Sequence, residues 1–291
     1  MSKPKEPCHF GSDLDVRWRP YADRRRYLQL FERARDGQQA GEASVFYLYS
    51  KTAAREIRQL SPSARIIIML RDPVEMVCSW HAHALLLAQE DLPDLGQALA
   101  AEADRRQGRR ISSTCFLPPA LQYSVLGKYS EHVRRYQEVF GRDRVKCILF
   151  EDLKQDPEGT YRETLAFLGL PPARLPDFKA HNERQQWRSQ QVGRAFMAAL
   201  WRGHSLCDKL PTRILKNIAF ATLGIPLVLL AKVNVRKARR PDISADLRNT
   251  LRQEFREDVE RLAGVLGRDL SSWLQPETKG LAATAEATKS S

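Results

Sequence analysis

Two short apolar runs are the clearest candidate strands in the chain. Residues 65–70 read Arg-Ile-Ile-Ile-Met-Leu, and residues 145–150 read Val-Lys-Cys-Ile-Leu-Phe. Continuous apolar runs of this length are typical of parallel strands that are buried on both faces. Residues 44–49, which are rich in Val, Phe and Tyr, are a weaker third candidate.

Helical periodicity fills the intervals between these strands. The predicted helices cover residues 51–60, 74–87, 95–108, 121–140, 157–168 and 244–266, and the chain is mainly helical from about residue 185. Strands that alternate with helices predict an α/β fold, in which a parallel sheet has flanking helices.

Two helix starts carry strong local signals. Asp72 precedes Pro73, and a Glu follows at the third helical position, so Asp72 is expected to cap this helix. Asp156 and Pro157 repeat the pattern, and Gly169 is placed to end the helix that they start.

The composition is that of a globular protein with excess positive charge. Hydrophobic residues make up 43% of the 291 positions and charged residues 28%. The 47 Lys and Arg residues exceed the 35 Asp and Glu residues, so the formal charge is +12. This sign favours an anionic partner, such as a nucleotide, a polyanion or a membrane face. Nucleic acid is disfavoured because no nucleic-acid-binding motif accompanies the charge.

Cysteine usage and hydropathy predict a cytoplasmic protein. The five cysteines occur singly, which argues against a disulfide framework and against a structural zinc site. The first residues lack the apolar core of a secretory signal. The longest uncharged run, residues 217–231, is shorter than the ~20 apolar residues that span a bilayer.

The segment with the clearest chemistry follows the first strand. Ligands of parallel sheets bind beyond the carboxyl ends of the strands, and Arg71 lies at such an end, directly before a helix. A phosphate there would meet the Arg71 guanidinium, the helix N-terminus and the Ser79 hydroxyl. The alternative is that Arg71 pairs with a surface carboxylate and that Ser79 has no ligand.

Several colinear segments resemble sulfotransferases that use 3′-phosphoadenosine 5′-phosphosulfate (PAPS), in particular the bacterial and glycan-type branch. They are residues 66–79, similar to the 3′-phosphate segment; residues 5–10, KEPCHF, similar to K-E-P-H-F-F; residues 41–44, similar to the start of the next strand; residues 150–153 and 167–170, similar to the E-D-L and F-L-G-L landmarks; and residues 266–273, similar to L-G-R-D-L-S-x-W. The resemblance covers roughly residues 3 to 274.

The resemblance implies a P-loop-type sulfotransferase fold and a function. A sulfuryl group would pass from PAPS to a hydroxyl or amine of a carbohydrate or small metabolite, without a metal. Glu6 would be the catalytic base and Lys5 would help to neutralise charge, whereas Arg71 and Ser79 would hold the 3′-phosphate. Without the resemblance, Glu6 would be an ordinary exposed carboxylate near the N-terminus.

A second stretch, which begins at Asn182, resembles an N-x-x-x-x-x-R-S pattern of the same branch. By this resemblance Arg188 would reach the 3′-phosphate from the loop over the nucleotide. A solvated polar connection is the alternative interpretation of this stretch.

The sequence also departs from the family. No G-T-T-type loop is present to cradle the 5′-phosphosulfate, so we expect that the first strand is missing from this chain and that its N-terminus is truncated. Low stability and little catalysis would follow. The alternative function is therefore a non-catalytic homologue that binds an anionic ligand or a partner. Cys8-His9, where the branch has His-Phe, also puts the packing around Glu6 in doubt.

The remaining signals are weaker. His81 and His83 do not suggest a metal site, because helical residues two apart point in different directions, and Asp13-x-Asp15 is a common tripeptide. Residues 214–240 have an apolar stretch with basic flanks, which suits peripheral contact with anionic lipid, but a core or lid helix is favoured. We predict one domain over residues 1–274 and a disordered tail over 275–291. The sequence leaves the acceptor and the oligomeric state open.

Overall fold

The computed structural model describes residues 5–16, 19–173, 185–208, 234–237 and 243–276. The chain forms two compact units: one comprises Met1–Val74, Ser124–Phe178 and Ala245–Ser291, and the other comprises Glu75–Tyr123 and Lys179–Ser244. The division into a domain and a tail stays a prediction, and all but the first two residues of the predicted tail lie outside the described residues.

Helices are the commonest regular elements among the described residues of both units. In chain order they are α1 (Arg24–Leu28), α2 (Ala53–Leu60), α3 (Pro73–Leu86), α4 (Leu95–Ala100), α5 (Glu102–Arg106), α6 (Tyr123–Leu126), α7 (Ser130–Phe140), α8 (Phe150–Gln155), α9 (Pro157–Leu168), α10 (Gln190–Asp208) and α11 (Ala245–Leu266). Short 3₁₀ helices lie at Gln29–Phe31, Val45–Tyr49, Pro118–Leu121, Arg142–Arg144 and Ser271–Leu274.

The two predicted strands form a parallel pair in the first unit. They are β1 (Ile66–Leu70) and β2 (Val145–Leu149), with Ile66 opposite Val145 and Leu70 opposite Leu149. In the second unit, β3 (Gln185–Trp187) pairs with β4 (Val235–Lys237) in antiparallel fashion. The α/β fold class is thus confirmed.

The prediction that β1 is buried on both faces is wrong. Ile68 and Leu70 are only 6% and 2% exposed, whereas Ile67 and Met69 are 39% and 54% exposed. Successive side chains of a strand point to opposite faces, so packing covers one face of β1 and leaves the other accessible.

The third predicted strand is also wrong, because residues Val45–Tyr49 form a 3₁₀ helix. The amide of Tyr47 donates to the carbonyl of Ser44, three residues earlier. This bond closes a local turn, whereas in a strand the same amide would bond to a neighbouring strand. The turn directs Tyr47 into a small core with Phe10 and Tyr27.

Local sequence signals predict the ends of a helix better than they predict its continuity. The Asp156 carboxylate accepts a hydrogen bond from the Gly159 amide, and Gly169 ends α9 in the left-handed conformation, with a φ of 68°. By contrast, the predicted helix 121–140 is interrupted before Ser130. At Gly127 in this break, the Phe255 ring lies so close that a Cβ would clash with it.

The second unit has its own buried polar centre. The Glu90 carboxylate accepts hydrogen bonds from Arg105 and from the Tyr123 hydroxyl, each at 2.8 Å, and all three residues are almost fully buried. A buried ion pair is favourable only with such additional hydrogen bonds. The predicted helix 95–108 is divided into α4 and α5, of which α5 carries Arg105.

Candidate functional site

Glu6 lies in a strained loop of the first unit. Its φ is +54°, and that of Cys8 is +49°, a backbone region that residues with side chains rarely occupy. The Glu6 amide donates to the carbonyl of Ala43, and the Val45 amide donates to Glu6 Oε2 at 2.9 Å. Segment 42–47 therefore holds both the backbone and the carboxylate of Glu6.

The surroundings of Glu6 change its acidity. Glu6 keeps some exposed surface, but neighbouring protein atoms shield its carboxylate from water. This desolvation raises the pKa of Glu6 above its usual value. The hydrogen bond from Val45 and the positive charge of Lys5 oppose this shift of the pKa. Lys5 and Glu6, the two residues predicted to act in catalysis, therefore interact through their charges.

The loop continues into an aromatic cluster. The His9 ring stacks on Tyr27 at 4.1 Å, and its Nδ1 donates to the carbonyl of Tyr21. The amides of His9 and Phe10 both donate to the Tyr47 hydroxyl, at 2.7 and 3.2 Å. The chain has Cys8-His9 where the family pattern has His-Phe, and here the His9 ring itself packs against Tyr27 in this cluster.

A second carboxyl group, on Glu42, lies in the same cluster and was missed as a functional residue. Burial raises the pKa of Glu42 to about 7, and the charge of Glu6 adds to this effect. The nearby hydroxyls of Tyr47 and Tyr27 lower the pKa of Glu42 and so oppose this effect. The only sequence signal was that Glu42 stands in a segment that resembles the family.

The carboxyl ends of β1 and β2 meet in the first unit. Arg71 follows β1, and its guanidinium lies over the ring of Phe150, the residue that follows β2, at 5.1 Å from the centroid. Asp72 Oδ1 accepts a hydrogen bond from the Val74 amide at 2.8 Å, which confirms the predicted cap at the start of α3. A positive side chain and a helix N-terminus thus adjoin, as an anion site requires.

Tyr129 is buried near this strand end. It is 2% exposed, and its hydroxyl has no hydrogen-bond partner among the described residues. Burial, with smaller contributions from Tyr49 and Asp72, raises the pKa of Tyr129 well above its usual range. Sequence reasoning gave no sign of this residue.

Ser79 and Arg188 lie in the second unit. Ser79 is half-buried within α3. Arg188 is exposed directly after β3, and its amide donates to the carbonyl of Asn234. Asn182, which was expected to act near Arg188, lies outside the described residues, as does most of the 214–240 segment.

Neither a metal cluster nor a membrane span was found in the described parts of the chain. Within them, no group of three or more His, Cys, Asp and Glu residues is arranged to bind a metal ion. His81 Nε2 instead contacts the carbonyl of Leu92 at 2.9 Å. No described helix combines the length and the apolar character that crossing a membrane requires.

Comparison with known proteins identifies the family. The model of the sulfotransferase domain family matches residues 26–195, and the chain belongs to this family. A sulfotransferase of known structure from Alicyclobacillus acidocaldarius is 28% identical, with a TM-score of 0.65, over 94% of this chain and 87% of that one. The resemblance stated from the sequence is therefore confirmed.

Among curated proteins, relatives include human enzymes of heparan sulfate modification. The human bifunctional heparan sulfate N-deacetylase/N-sulfotransferase 3 is 24% identical over 81% of this chain and 23% of its own length. The human heparan sulfate glucosamine 3-O-sulfotransferase 6 is 29% identical over 50% of this chain and 39% of its own length. The chain spans less than half the length of these two relatives.

Proposed function

We propose that the protein transfers a sulfuryl group from PAPS to a hydroxyl or amine of a carbohydrate. The observation that carries the proposal is the position of Arg71, between the end of β1 and the capped start of α3, with its guanidinium over Phe150. Relatives whose names include heparan sulfate support a carbohydrate as the acceptor.

In this proposal Arg71 and Ser79 bind the 3′-phosphate of the nucleotide. A guanidinium can form two parallel hydrogen bonds with a phosphate, and the amides that start α3 add positive potential. Because these contacts are made by the donor and by the desulfated product alike, they serve binding more than catalysis.

Glu6 is the proposed catalytic base. Its carboxylate accepts the proton of the acceptor hydroxyl or amine as that atom bonds to sulfur, and the bond between sulfur and the 5′-phosphate oxygen breaks. Adenosine 3′,5′-bisphosphate leaves with the electron pair of the broken bond. Lys5 stabilises negative charge on the reacting groups. A carboxylate with a raised pKa is a stronger base than an ordinary one, which suits this role.

Calorimetric titration with adenosine 3′,5′-bisphosphate tests the binding half of the proposal. We expect the chain to bind this nucleotide and Arg71→Ala to bind it at least about tenfold more weakly, since a charge-assisted hydrogen bond contributes ~1.5–3 kcal/mol. Arg162→Ala is the matched control, because Arg162 is exposed on α9 and pairs with Glu158. Equal affinity in both variants would contradict the assignment of Arg71.

Turnover tests the other half. With PAPS and a heparan-type oligosaccharide, Glu6→Gln is expected to lower kcat by about 10²–10⁴-fold and to leave nucleotide affinity unchanged. Nucleotide binding by the parent protein without any turnover would support the alternative function, a non-catalytic homologue.

A further inference from the structure

Side chains hold the backbone of the loop that follows Glu6. The three amides of residues 8–10 all donate to side-chain hydroxyls: the first to Ser44 Oγ at 3.2 Å, and the next two to the Tyr47 hydroxyl at 2.7 and 3.2 Å. In helices and strands such amides bond to other backbone groups. Ser44 and Tyr47 therefore take the place of a backbone partner for this loop.

Arg19 holds the carbonyl groups of the same three residues. Its Nε donates to the carbonyl of Cys8 at 3.1 Å, and its Nη2 donates to the carbonyls of His9 and Phe10 at 2.7 and 2.9 Å. A guanidinium carries five N–H donors in a rigid plane, so one side chain can bond three neighbouring carbonyls. Because the donor is charged, these hydrogen bonds are stronger than bonds between neutral groups. All six polar backbone groups of residues 8–10 are thus paired, three of them by Arg19.

The loop needs this support because its backbone is strained. Glu6 and Cys8 both have positive φ, a region that residues with a Cβ rarely occupy. Glu6 also precedes Pro7, and a proline restricts the residue before it to extended conformations. Such conformations persist only where the surrounding structure enforces them. Without its bonds to side chains, the loop would relax to a commoner backbone conformation.

The position of the Glu6 carboxylate depends on this loop. Glu6 Oε2 accepts a hydrogen bond from the Val45 amide at 2.9 Å, and the Glu6 amide donates to the carbonyl of Ala43 at 3.1 Å. Only Pro7 separates Glu6 from Cys8, and the proline ring fixes φ at about −65°. A change of backbone conformation at Cys8 is therefore transmitted to Glu6, because the residue between them has little freedom to absorb it.

We propose that Arg19 is a positioning residue for the catalytic base, an inference that rests on the proposed role of Glu6. By binding three carbonyls, Arg19 keeps the loop in its strained conformation and so fixes the direction of the Glu6 carboxylate. Arg19 contacts neither the sulfuryl donor nor the acceptor in this proposal. A displacement of a reacting group by about 1 Å can lower a rate about 10²-fold, so a residue outside the site can affect catalysis strongly.

Amide NMR of the full chain tests the positioning without any need for turnover. Arg19→Met keeps the aliphatic part of the side chain and removes every donor. In this variant the His9 and Phe10 amides should exchange at least about tenfold faster, because the loop loses charge-assisted hydrogen bonds. The Val45 amide resonance should move toward its position in Glu6→Ala, in which the acceptor of that amide is absent.

Two further variants complete this test. Arg134→Ala is the control, because Arg134 is an exposed residue of α7 that pairs with Glu138, and its loss should change neither readout. Arg19→Lys keeps the positive charge but replaces the planar fork by a single nitrogen, so it should restore only part of the protection. If Arg19→Met does not fold, Arg19→Lys carries the test. Loop amides identical to those of the parent protein would then overturn the proposal.

Kinetics separate this inference from the proposed function. If the parent protein transfers sulfuryl groups, folded Arg19→Met should lower kcat about 10²-fold with little change in the KM for PAPS. Unchanged His9, Phe10 and Val45 amides in this variant would refute the inference whatever the turnover, and so would an unchanged kcat. If the amides change but the parent protein shows no sulfuryl transfer, the proposed function fails and the support of the Glu6 loop by Arg19 stands.

Discussion

The start of α7 depends on one buried carboxylate of α11, and replacing it should be strongly destabilising. Asp258 is 4% exposed and accepts hydrogen bonds from the Tyr129 and Ser130 amides and from the Ser130 hydroxyl. The first amides of a helix lack partners within the helix, so Asp258 supplies them from another element. Asp258→Ala would leave these buried donors unpaired.

The magnitude follows from the three contacts. Each buried donor that loses its partner costs ~1–3 kcal/mol, and water that enters the vacated space recovers part of this loss. The exposed contact of Arg261 with Asp258, at 3.8 Å, adds little. We expect Asp258→Ala to lower the free energy of unfolding by about 3–5 kcal/mol, and Asp258→Asn, which retains one acceptor oxygen, to lower it less.

Urea denaturation followed by circular dichroism measures this loss, and hydrogen exchange of the α7 amides locates it. Two compact units can unfold separately, so the exchange data identify the transition that belongs to α7. Glu257→Ala is the control, because the neighbouring Glu257 is 82% exposed and should contribute no more than ~0.5 kcal/mol. If both variants were equally stable, the interhelical cap would not be a principal support of α7.

Three further predictions concern the same unit. Gly127→Ala should destabilise by ~1–3 kcal/mol in thermal unfolding, because its Cβ would clash with the Phe255 ring, whereas Gly264→Ala, with open space, should be neutral or stabilising. Tyr129→Phe should leave stability unchanged or raise it by up to ~1 kcal/mol, since it removes an unpaired buried hydroxyl; a clear loss in a melting curve would reveal an undetected partner. Burial and Arg135 lower the pKa of His132 to about 4, so the unfolded chain binds more protons between pH 6.5 and 4. Stability should therefore fall over this range as the pH falls, and His132→Gln should reduce the slope of unfolding free energy against pH.

The regular elements were predictable because their signals are local. The apolar runs give β1 and β2, and Asp156, Pro157 and Gly169 fix both ends of α9 by hydrogen bonding and backbone conformation within a few residues. The same holds for Arg71, whose place between a strand and a capped helix can be read from its neighbours in the sequence.

The elements that were mispredicted depend on partners far along the chain. Residues Val45–Tyr49 have the composition of a strand, but Tyr47 is drawn into a core with Phe10 and Tyr27, and the segment turns. Periodicity predicts one long helix up to Phe140, but Gly127 lies against Phe255 of α11, which no local signal indicates.

The sequence by itself determined the fold class, the main helices and strands, and the family, because these follow from local patterns and from motif order; the roles of Glu6 and Arg71 stay predictions. Only the tertiary structure decided that one face of β1 is accessible, that Asp258 caps α7, and that one carboxyl oxygen of Glu42 is buried without a partner among the described residues. Burial, pKa shifts and the pairing of distant side chains depend on which segments pack together, and that information is not local to any stretch of sequence.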